Sequence, residues 1–394
     1  MNLLEDLFSA YYQARKHKRN TANQLHFELK LEENLVDLYH EIKERRYKVG
    51  RSVCFTVEHP VKREVFAADF RDRVVHHLLV GYINNFIERH LIYDCYSCRK
   101  DKGTHFGIDR LEHHIRSCSE NYTRDCYVLK LDLKGYFMGI DREKLYQDIL
   151  NILSKHMDEW IPQKGFWRDS PEYELVHYLL PIVLFNDPTI NCVRKGKLSD
   201  WDGLPPSKSL FHSPEGCGLP IGNLTSQLFS NVYLNDFDNY VKRELKIKHY
   251  GRYVDDFFLI DTDKRKLQYL LPLMRGWLWE HSGIVLYPNK VFLQSYKKGV
   301  TFLGAIVKPH RRYVKNSLIH TFRSRLATCE GNLKRGQTSK DDLRHMCACI
   351  NSYLGIMQHY KCHNIKKKLF SSPSLIFDYG YLNNGMEKYV LKRI

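Results

Sequence analysis

The residues with the clearest chemical potential are the adjacent carboxylates of Tyr253-Val254-Asp255-Asp256, set inside Arg-Tyr-Val-Asp-Asp-Phe-Phe-Leu-Ile. Two neighbouring anions between β-forming residues repel one another, and a divalent cation removes that cost. Magnesium suits the task because it takes carboxylate, water and substrate phosphate oxygens together. A pair of such ions serves phosphoryl transfer, one lowering the pKa of an attacking hydroxyl and the other steadying a leaving pyrophosphate. A third carboxylate has to come from elsewhere in the chain. Asp132 closes the apolar run Cys126-Tyr-Val-Leu-Lys-Leu-Asp-Leu133 and is the candidate. An isolated Asp-Asp pair also suits a surface turn, but apolar flanks on both sides oppose that reading.

These side chains need elements to hold them. Residues 126–133 read as a buried strand, and Tyr250 to Asp261 as a hairpin with the acidic pair at its tip. After Pro220 a helix is expected, because Phe229, Tyr233, Phe237 and Val241 recur every four residues, with Thr225 or Ser226 as its cap. Residues 1–50 read as two helices, 51–106 as short β-like runs with basic turns, and 141–155 as a helix. Further strands are expected near 284–293 and 300–307, and a helical, basic pattern from about 316. Residues 186–217 are dense in Asn, Asp, Pro, Gly and Lys and read as a long loop or insertion.

The pattern Tyr-Val-Asp-Asp resembles the Y-x-D-D signature of reverse transcriptases. Lys130-Leu131-Asp132-Leu133-Lys134-Gly135-Tyr136-Phe137 resembles their first palm motif, and Lys290 to Gly304, ending Phe302-Leu303-Gly304, resembles the late palm lysine and primer-grip turn. The motifs fall in the family's order over about 51–305. The resemblance implies an RNA-directed DNA polymerase, a nucleotidyltransferase of α+β right-hand architecture. Fingers and palm, a small antiparallel sheet plus helices, would span 51–305 with the 186–217 insertion; an N-terminal helical extension would occupy 1–50, and an α-helical basic thumb 306–394. It implies that Asp132, Asp255 and Asp256 hold two Mg2+ ions, Mn2+ being an alternative, with the Leu133 carbonyl as a further ligand. Phe137 matches the position that walls off a ribose 2′-hydroxyl; a core aromatic is the competing reading, and Tyr136 leaves the register open. Lys290 matches the general acid for pyrophosphate, against an ordinary exposed lysine.

The basic residues Lys62-Arg63-Glu64 and Phe70-Arg71-Asp72-Arg73 resemble the first finger motif. Arg63 and Arg71 match the residues that grip the triphosphate, with Arg73 a rival. Ion pairing with Glu64, Asp69 or Asp72 is the alternative. Tyr96-Ser97-Cys98-Arg99-Lys100-Asp101-Lys102-Gly103 resembles the next motif, in which Arg99, and more weakly Lys100 and Lys102, would meet template or nucleotide.

Gly218-Leu219-Pro220-Ile221-Gly222-Asn223-Leu224-Thr225-Ser226-Gln227 narrows the resemblance. Most reverse transcriptases carry Pro-Gln-Gly here, whereas an aliphatic residue followed by Gly-x-x-x-Ser-Gln resembles the enzymes of diversity-generating retroelements. Leu204-Pro-Pro-Ser-Lys-Ser-Leu-Phe211 and Phe66-Ala-Ala-Asp-Phe-Arg-Asp-Arg73 resemble the same group. The implication is adenine-directed, error-prone copying of a template-repeat RNA (mutagenic retrohoming), with Ile221 and Gly222 beside the incoming dNTP and Ser226 and Gln227 near the template. Ile221 cannot hydrogen-bond, so discrimination by a fixed polar contact is lost; a side chain that only packs the pocket wall is the alternative. The family further implies a small basic helical accessory variability protein. Other bacterial reverse transcriptases, such as phage-defence enzymes, share Ile-Gly-Asn-x-x-Ser-Gln and are the second reading. A non-catalytic RNA-binding scaffold is the third, opposed by the intact carboxylates.

Composition agrees with a polyanionic partner. The net charge is +16 over 394 residues, and residues 308–394 carry 17 Lys and Arg against 5 Asp and Glu, or +12. Such a concentration suits an RNA template and the RNA/DNA primer–template duplex, gripped through the backbone. The run Arg15-Lys16-His17-Lys18-Arg19 reads as a solvated face or a nucleic-acid contact. The opening MNLLEDLFSA carries an acidic pair and no long apolar run, and the stretch around Tyr178 to Phe185 is too short to cross a bilayer, so no membrane role is expected. The 11 scattered cysteines read as reduced thiols of a cytoplasmic protein, bacterial or phage-encoded. Cys95-x-x-Cys98 with His113 and His114 could be a metal site, ordinary packing being the stronger reading.

Overall fold

The computed structural model describes residues 2–16, 20–58, 61–336, 339–371, 374–383 and 385–392. His17 to Arg19 of the basic run lie outside the described residues. The chain divides into two units, one of residues 1–106, 129–259 and 264–292, the other of 107–128, 260–263 and 293–394.

The buried strand is Tyr127–Lys134, residues 129–134 of it in the first unit, with Val128, Leu129, Leu131 and Leu133 inside. It neighbours Asp256–Asp261, which in turn neighbours His249–Tyr253. The acidic pair therefore does turn the hairpin, Asp255 in the turn and Asp256 opening the second strand. Val285–Leu286 pairs antiparallel with the end of the first strand, Leu286 opposite Leu133. The helix Arg142–Ser154 follows, capped by the Asp141 side chain on Lys144 N. Helix Leu224–Tyr233 begins at Asn223, without a side-chain cap. Thr225 and Ser226, expected as caps, are buried within its first turn. The four-residue recurrence holds in burial, since Phe229, Tyr233, Phe237 and Val241 are all inside. The backbone breaks at Leu234 and resumes as Asn235–Asn239.

Two expectations change. Residues 1–50 form three helices, Leu3–Arg15, Ala22–Leu29 and Leu31–Lys43, the Thr21 side chain capping the second. Residues 51–106 do open with an antiparallel hairpin, Val53–Val57 with Arg63–Ala67. The next segment is not β-like but the 21-residue helix Phe70–His90. Its buried apolar positions 70, 74, 75, 78, 79, 83, 86 and 87 follow helical spacing. The paired valines at 74 and 75 suggest a strand only when that spacing is ignored. The 186–217 segment is ordered into short turns, and its Val193–Arg194 lies parallel to Val53–Val57 as a third strand.

The second unit contains a meander, Val300–Phe302, Ala305–Lys308 and Arg311–Val314. The basic segment then forms helices Asn316–Lys334, Lys340–Met357 and His363–Leu369. An unforeseen hairpin closes it, Gly380–Leu382 with Tyr389–Leu391. Its core gathers Phe322, Leu343, Ile350, Leu354, Met357 and Tyr389. No helix among the described residues is long and apolar enough to cross a membrane.

Candidate active site

Asp132 lies on the central strand and Asp255 and Asp256 on the adjoining hairpin. Lys290 donates to Asp132 Oδ2 at 2.7 Å, and Lys130 Nζ lies 3.2 Å from Asp256 Oδ2. The Tyr287 amide fixes the Asp132 carbonyl at 2.9 Å. Burial raises the pKa of Asp255, and the Asp132 charge raises it further. Burial pushes Asp256 up to about 6 against the pull of Lys130, with Asp255 and Asp132 adding to the rise. The three carboxylates thus feel one another. Burial works against the Lys290 ammonium, yet its hydrogen bond to Asp132 raises its pKa above the ordinary lysine value.

Asp256 Oδ1 is buried and has no hydrogen-bond partner among the described residues. An all-carboxylate donor set with one orphaned oxygen, and with Asp255 and Asp256 both raised in pKa, suits a hard divalent cation. Among the described residues no group of three or more His, Cys, Asp or Glu side chains is gathered closely enough to hold one ready-made. Lysine ammonium groups neutralise Asp132 and Asp256 instead.

The hairpin turn is held by groups that sequence reading missed. Val254, a β-branched residue, has a φ of 57°, a conformation that persists only when its surroundings enforce it. The Arg252 guanidinium donates to the Val254 carbonyl at 3.0 Å, and the Val254 amide donates to Ser97 Oγ at 3.3 Å. Ser97 Oγ in turn donates to Asn231 Oδ1 at 2.8 Å. Gly251 is required, since a Cβ there would stand 2.1 Å from the Tyr96 hydroxyl and 2.8 Å from the Phe258 ring. The clue available in the sequence was an arginine inside an apolar strand, which has to find a carboxylate.

The nucleotide-pocket candidates sort unevenly. Tyr136 is buried, its hydroxyl donating to the Ser230 carbonyl, so Phe137 is the half-buried member of the pair. Phe137 and Ile221 pack on one cluster built on Cys54, Phe66, Met138 and Leu210. The Phe66 amide donates to the Ile221 carbonyl at 2.8 Å. Gly222 has a φ of 125°, and a Cβ there would meet the Phe66 carbonyl at 3.0 Å. Leu133 is buried opposite Leu286.

Arg63 is exposed, makes no ion pair among the described residues, and lies near enough to Asp255 to lower its pKa. Arg71, expected beside it, is committed elsewhere. It pairs with Glu41, lies 3.3 Å from Asp72 Oδ1 and stacks over Tyr47. Arg73 donates to the Ala68 carbonyl at 2.9 Å. Arg99 is occupied within the fold: its side chain is only 7% exposed, and it donates to Glu88 at 2.7 Å and to the carbonyls of Ile92 and Cys95. Ser226 is buried within its helix. Gln227 is exposed and accepts from Cys98. Lys102 caps the Tyr93 carbonyl and stands 4.4 Å over its ring. Cys95 lies against Asn231, so the Cys95-x-x-Cys98 pair touches two different side chains of one helix.

Residues 62–307 match the profile of the family described as "Reverse transcriptase (RNA-dependent DNA polymerase)". No curated protein matches the chain. Among solved structures it is similar to telomerase from Candida albicans in complex with a fragment of telomeric RNA, at 11% identity and a TM-score of 0.45, covering 87% of this chain and 63% of that one. Apo telomerase from Candida tropicalis is similar at 12% identity and a TM-score of 0.48, covering 82% and 56% respectively. The chain thus spans about three-fifths of the telomerase chains it matches.

Proposed function

Since the chain belongs to the reverse transcriptase (RNA-dependent DNA polymerase) family, we propose that it is the mutagenic polymerase of a diversity-generating retroelement, copying a template-repeat RNA into cDNA with errors concentrated at adenines. Asp132, Asp255 and Asp256, with the Leu133 carbonyl, would hold a pair of Mg2+ ions, for which Mn2+ could substitute. Bound there, the ions would acidify the primer 3′-hydroxyl and neutralise the departing pyrophosphate. Lys290, kept protonated by Asp132, would give that pyrophosphate its proton. Arg63 takes the triphosphate, Phe137 walls the sugar, and Gln227 and Lys102 face the template side. The basic helical segment of residues 306–394 grips the primer–template duplex. A small basic accessory protein and a cytoplasmic setting belong to the same reading.

One observation carries the narrower assignment. Ile221 presents an aliphatic side chain to the Phe137 cluster from a turn pinned by the Phe66 amide. A side chain without donors or acceptors cannot fix the base through a polar contact, and selectivity that depends on one is lost. The test is the error spectrum of cDNA made by the purified protein on RNA. Wild type is expected to misincorporate mainly opposite template adenine, and Ile221→Gln to do so less. Equal spectra for the two proteins would defeat the assignment while leaving polymerase activity intact.

A further inference from the structure

The 186–217 segment is tied down at one buried carboxylate. Glu64 is 1% exposed. It accepts from Trp201 Nε1 at 2.7 Å, from Ser209 Oγ at 3.0 Å and from the Leu210 amide at 2.7 Å. Three donors spread over ten residues of a loop therefore converge on one side chain of the neighbouring strand. A second tie joins Lys62 Nζ to the Asp202 carbonyl at 2.8 Å. A third is the backbone pairing of Val193 and Lys195 with Ser52 and Cys54, both at 2.8 Å. A loop with this many fixed points is a strap.

What the strap lies against gives it a role. Trp201, Leu210 and Phe211 pack in the same cluster as Phe137 and Ile221, and the Phe66 and Phe211 rings stand 5.6 Å apart. The strap also closes on the backbone before Phe137, where a Cβ on Gly135 would stand 2.8 Å from the Ser207 carbonyl. Successive strand residues point to opposite faces, so Glu64 turns toward the strap while Arg63 turns away from it.

We infer that the Glu64 clamp on Trp201, Ser209 and Leu210 is a specificity determinant: it holds the strap behind Phe137 and Ile221 and so fixes the wall that selects the incoming nucleotide's sugar. The inference rests on the reading of Phe137 as that wall. Glu64, Trp201 and Ser209 are positioning residues that act through Phe137, since none of them needs to touch the nucleotide. A loosened strap lets the aromatic ring retreat and admits a 2′-hydroxyl, without disturbing the carboxylates, which lie on a separate sheet.

The test is primer extension on RNA by the full chain, with dNTP and rNTP compared by their kcat/KM ratio. That ratio does not depend on the fraction of protein that is folded. Trp201→Phe keeps the ring and deletes the N–H, and Ser209→Ala deletes the hydroxyl. Each is expected to lower the preference for dNTP by about tenfold, the loss that roughly 1.4 kcal/mol of positioning gives. Ser209→Thr, which keeps a hydroxyl, is expected to retain the wild-type ratio. Phe137→Ala is the reference for the wall itself. If Phe137→Ala changes the ratio while Trp201→Phe and Ser209→Ala leave it untouched, the clamp is only structural and the inference fails alone. If Phe137→Ala has no effect, the wall reading fails and the inference falls with it.

Discussion

Arg252 and Asp238 form an ion pair with no exposed surface on either side chain, Nη2 to Oδ2 at 2.7 Å and Nε to Oδ1 at 2.8 Å. The Tyr250 hydroxyl adds a 2.6 Å bond to the same carboxylate. The guanidinium goes on to hold the carbonyls of Asn231 and Val254. One buried charge thus connects the helix behind the sheet to the turn that carries Asp255. Removing one member of such a pair leaves the other charged and unpartnered, at a cost of about 3–5 kcal/mol. Arg252→Met is expected to lose stability on that scale in chemical denaturation. Tyr250→Phe, which leaves the pair intact, is expected to lose about 1–3 kcal/mol. Near-neutral values for both would show that the network does not hold the hairpin.

The lysines at the carboxylates give a second expectation. Lys130 neutralises Asp256 while both side chains are 22% exposed, so the pair is partly screened and worth no more than about 1 kcal/mol. Lys130 sits on Oδ2 and leaves Oδ1 open, so a cation binding Asp256 competes with that ammonium for the carboxylate's charge. Lys130→Ala is therefore expected to lower the Mg2+ concentration for half-maximal primer extension by up to about fivefold. Asp255→Ala is expected to abolish extension at any Mg2+ concentration, with its circular dichroism unchanged. A Lys130→Ala enzyme that needs more Mg2+ than wild type would refute the competition.

Much of this site could be read in the sequence because its residues obey local rules. The strand before Asp132 and the hairpin around Asp255 announce themselves by apolar runs, and the acidic pair by its improbability between them. Partners far apart in sequence were not legible. Arg99 lies in a basic motif and looks like a template contact, but its fate depends on Glu88, eleven positions earlier on a helix that the β-like reading had hidden. Arg71 was assigned from its neighbours, whereas its partners Glu41 and Tyr47 come from the preceding segment. The 186–217 segment has loop composition and does lack long elements. Much of its order comes from a carboxylate 137 to 146 positions away, which no periodicity can signal.

His76 sets a pH expectation for stability. It is buried on the long helix, and its Nδ1 has no partner. Burial, with His77 and Arg73 adding, lowers its pKa to about 3. The unfolded chain takes up a proton near the ordinary value of about 6.5, while the folded chain does not until far lower. Between those values the unfolded state binds more protons, so this contribution is complete above about 6.5 and shrinks as pH falls. At pH 5 the loss is about 2 kcal/mol, from about 1.5 pH units at 1.36 kcal/mol each. His76→Gln is expected to flatten the fall in unfolding free energy between pH 7 and 5 by about that amount, measured by denaturant titration. Parallel curves for the two proteins would mean that His76 is already protonated when folded.

Arg63 and Arg71 separate binding from stability. Both match the triphosphate grip by motif, but only Arg63 is exposed without an ion-pair partner among the described residues. The Arg71 charge is taken up by Glu41 and Asp72, and its plane by the Tyr47 ring. A hydrogen bond to a charged group contributes about 1.5–3 kcal/mol, which is roughly a 10- to 150-fold change in an equilibrium constant. Arg63→Ala is expected to raise the KM for dNTP within that range, with little change in melting temperature. Arg71→Ala is expected to do the reverse. It strands Asp72, which is buried against Tyr47 and Gly50 and already raised in pKa by that burial. The chain should then melt earlier while the surviving enzyme keeps a near-normal KM. A large KM effect from Arg71→Ala, with stability intact, would mean that the arginine leaves Glu41 when nucleotide arrives and that the motif assignment was right after all.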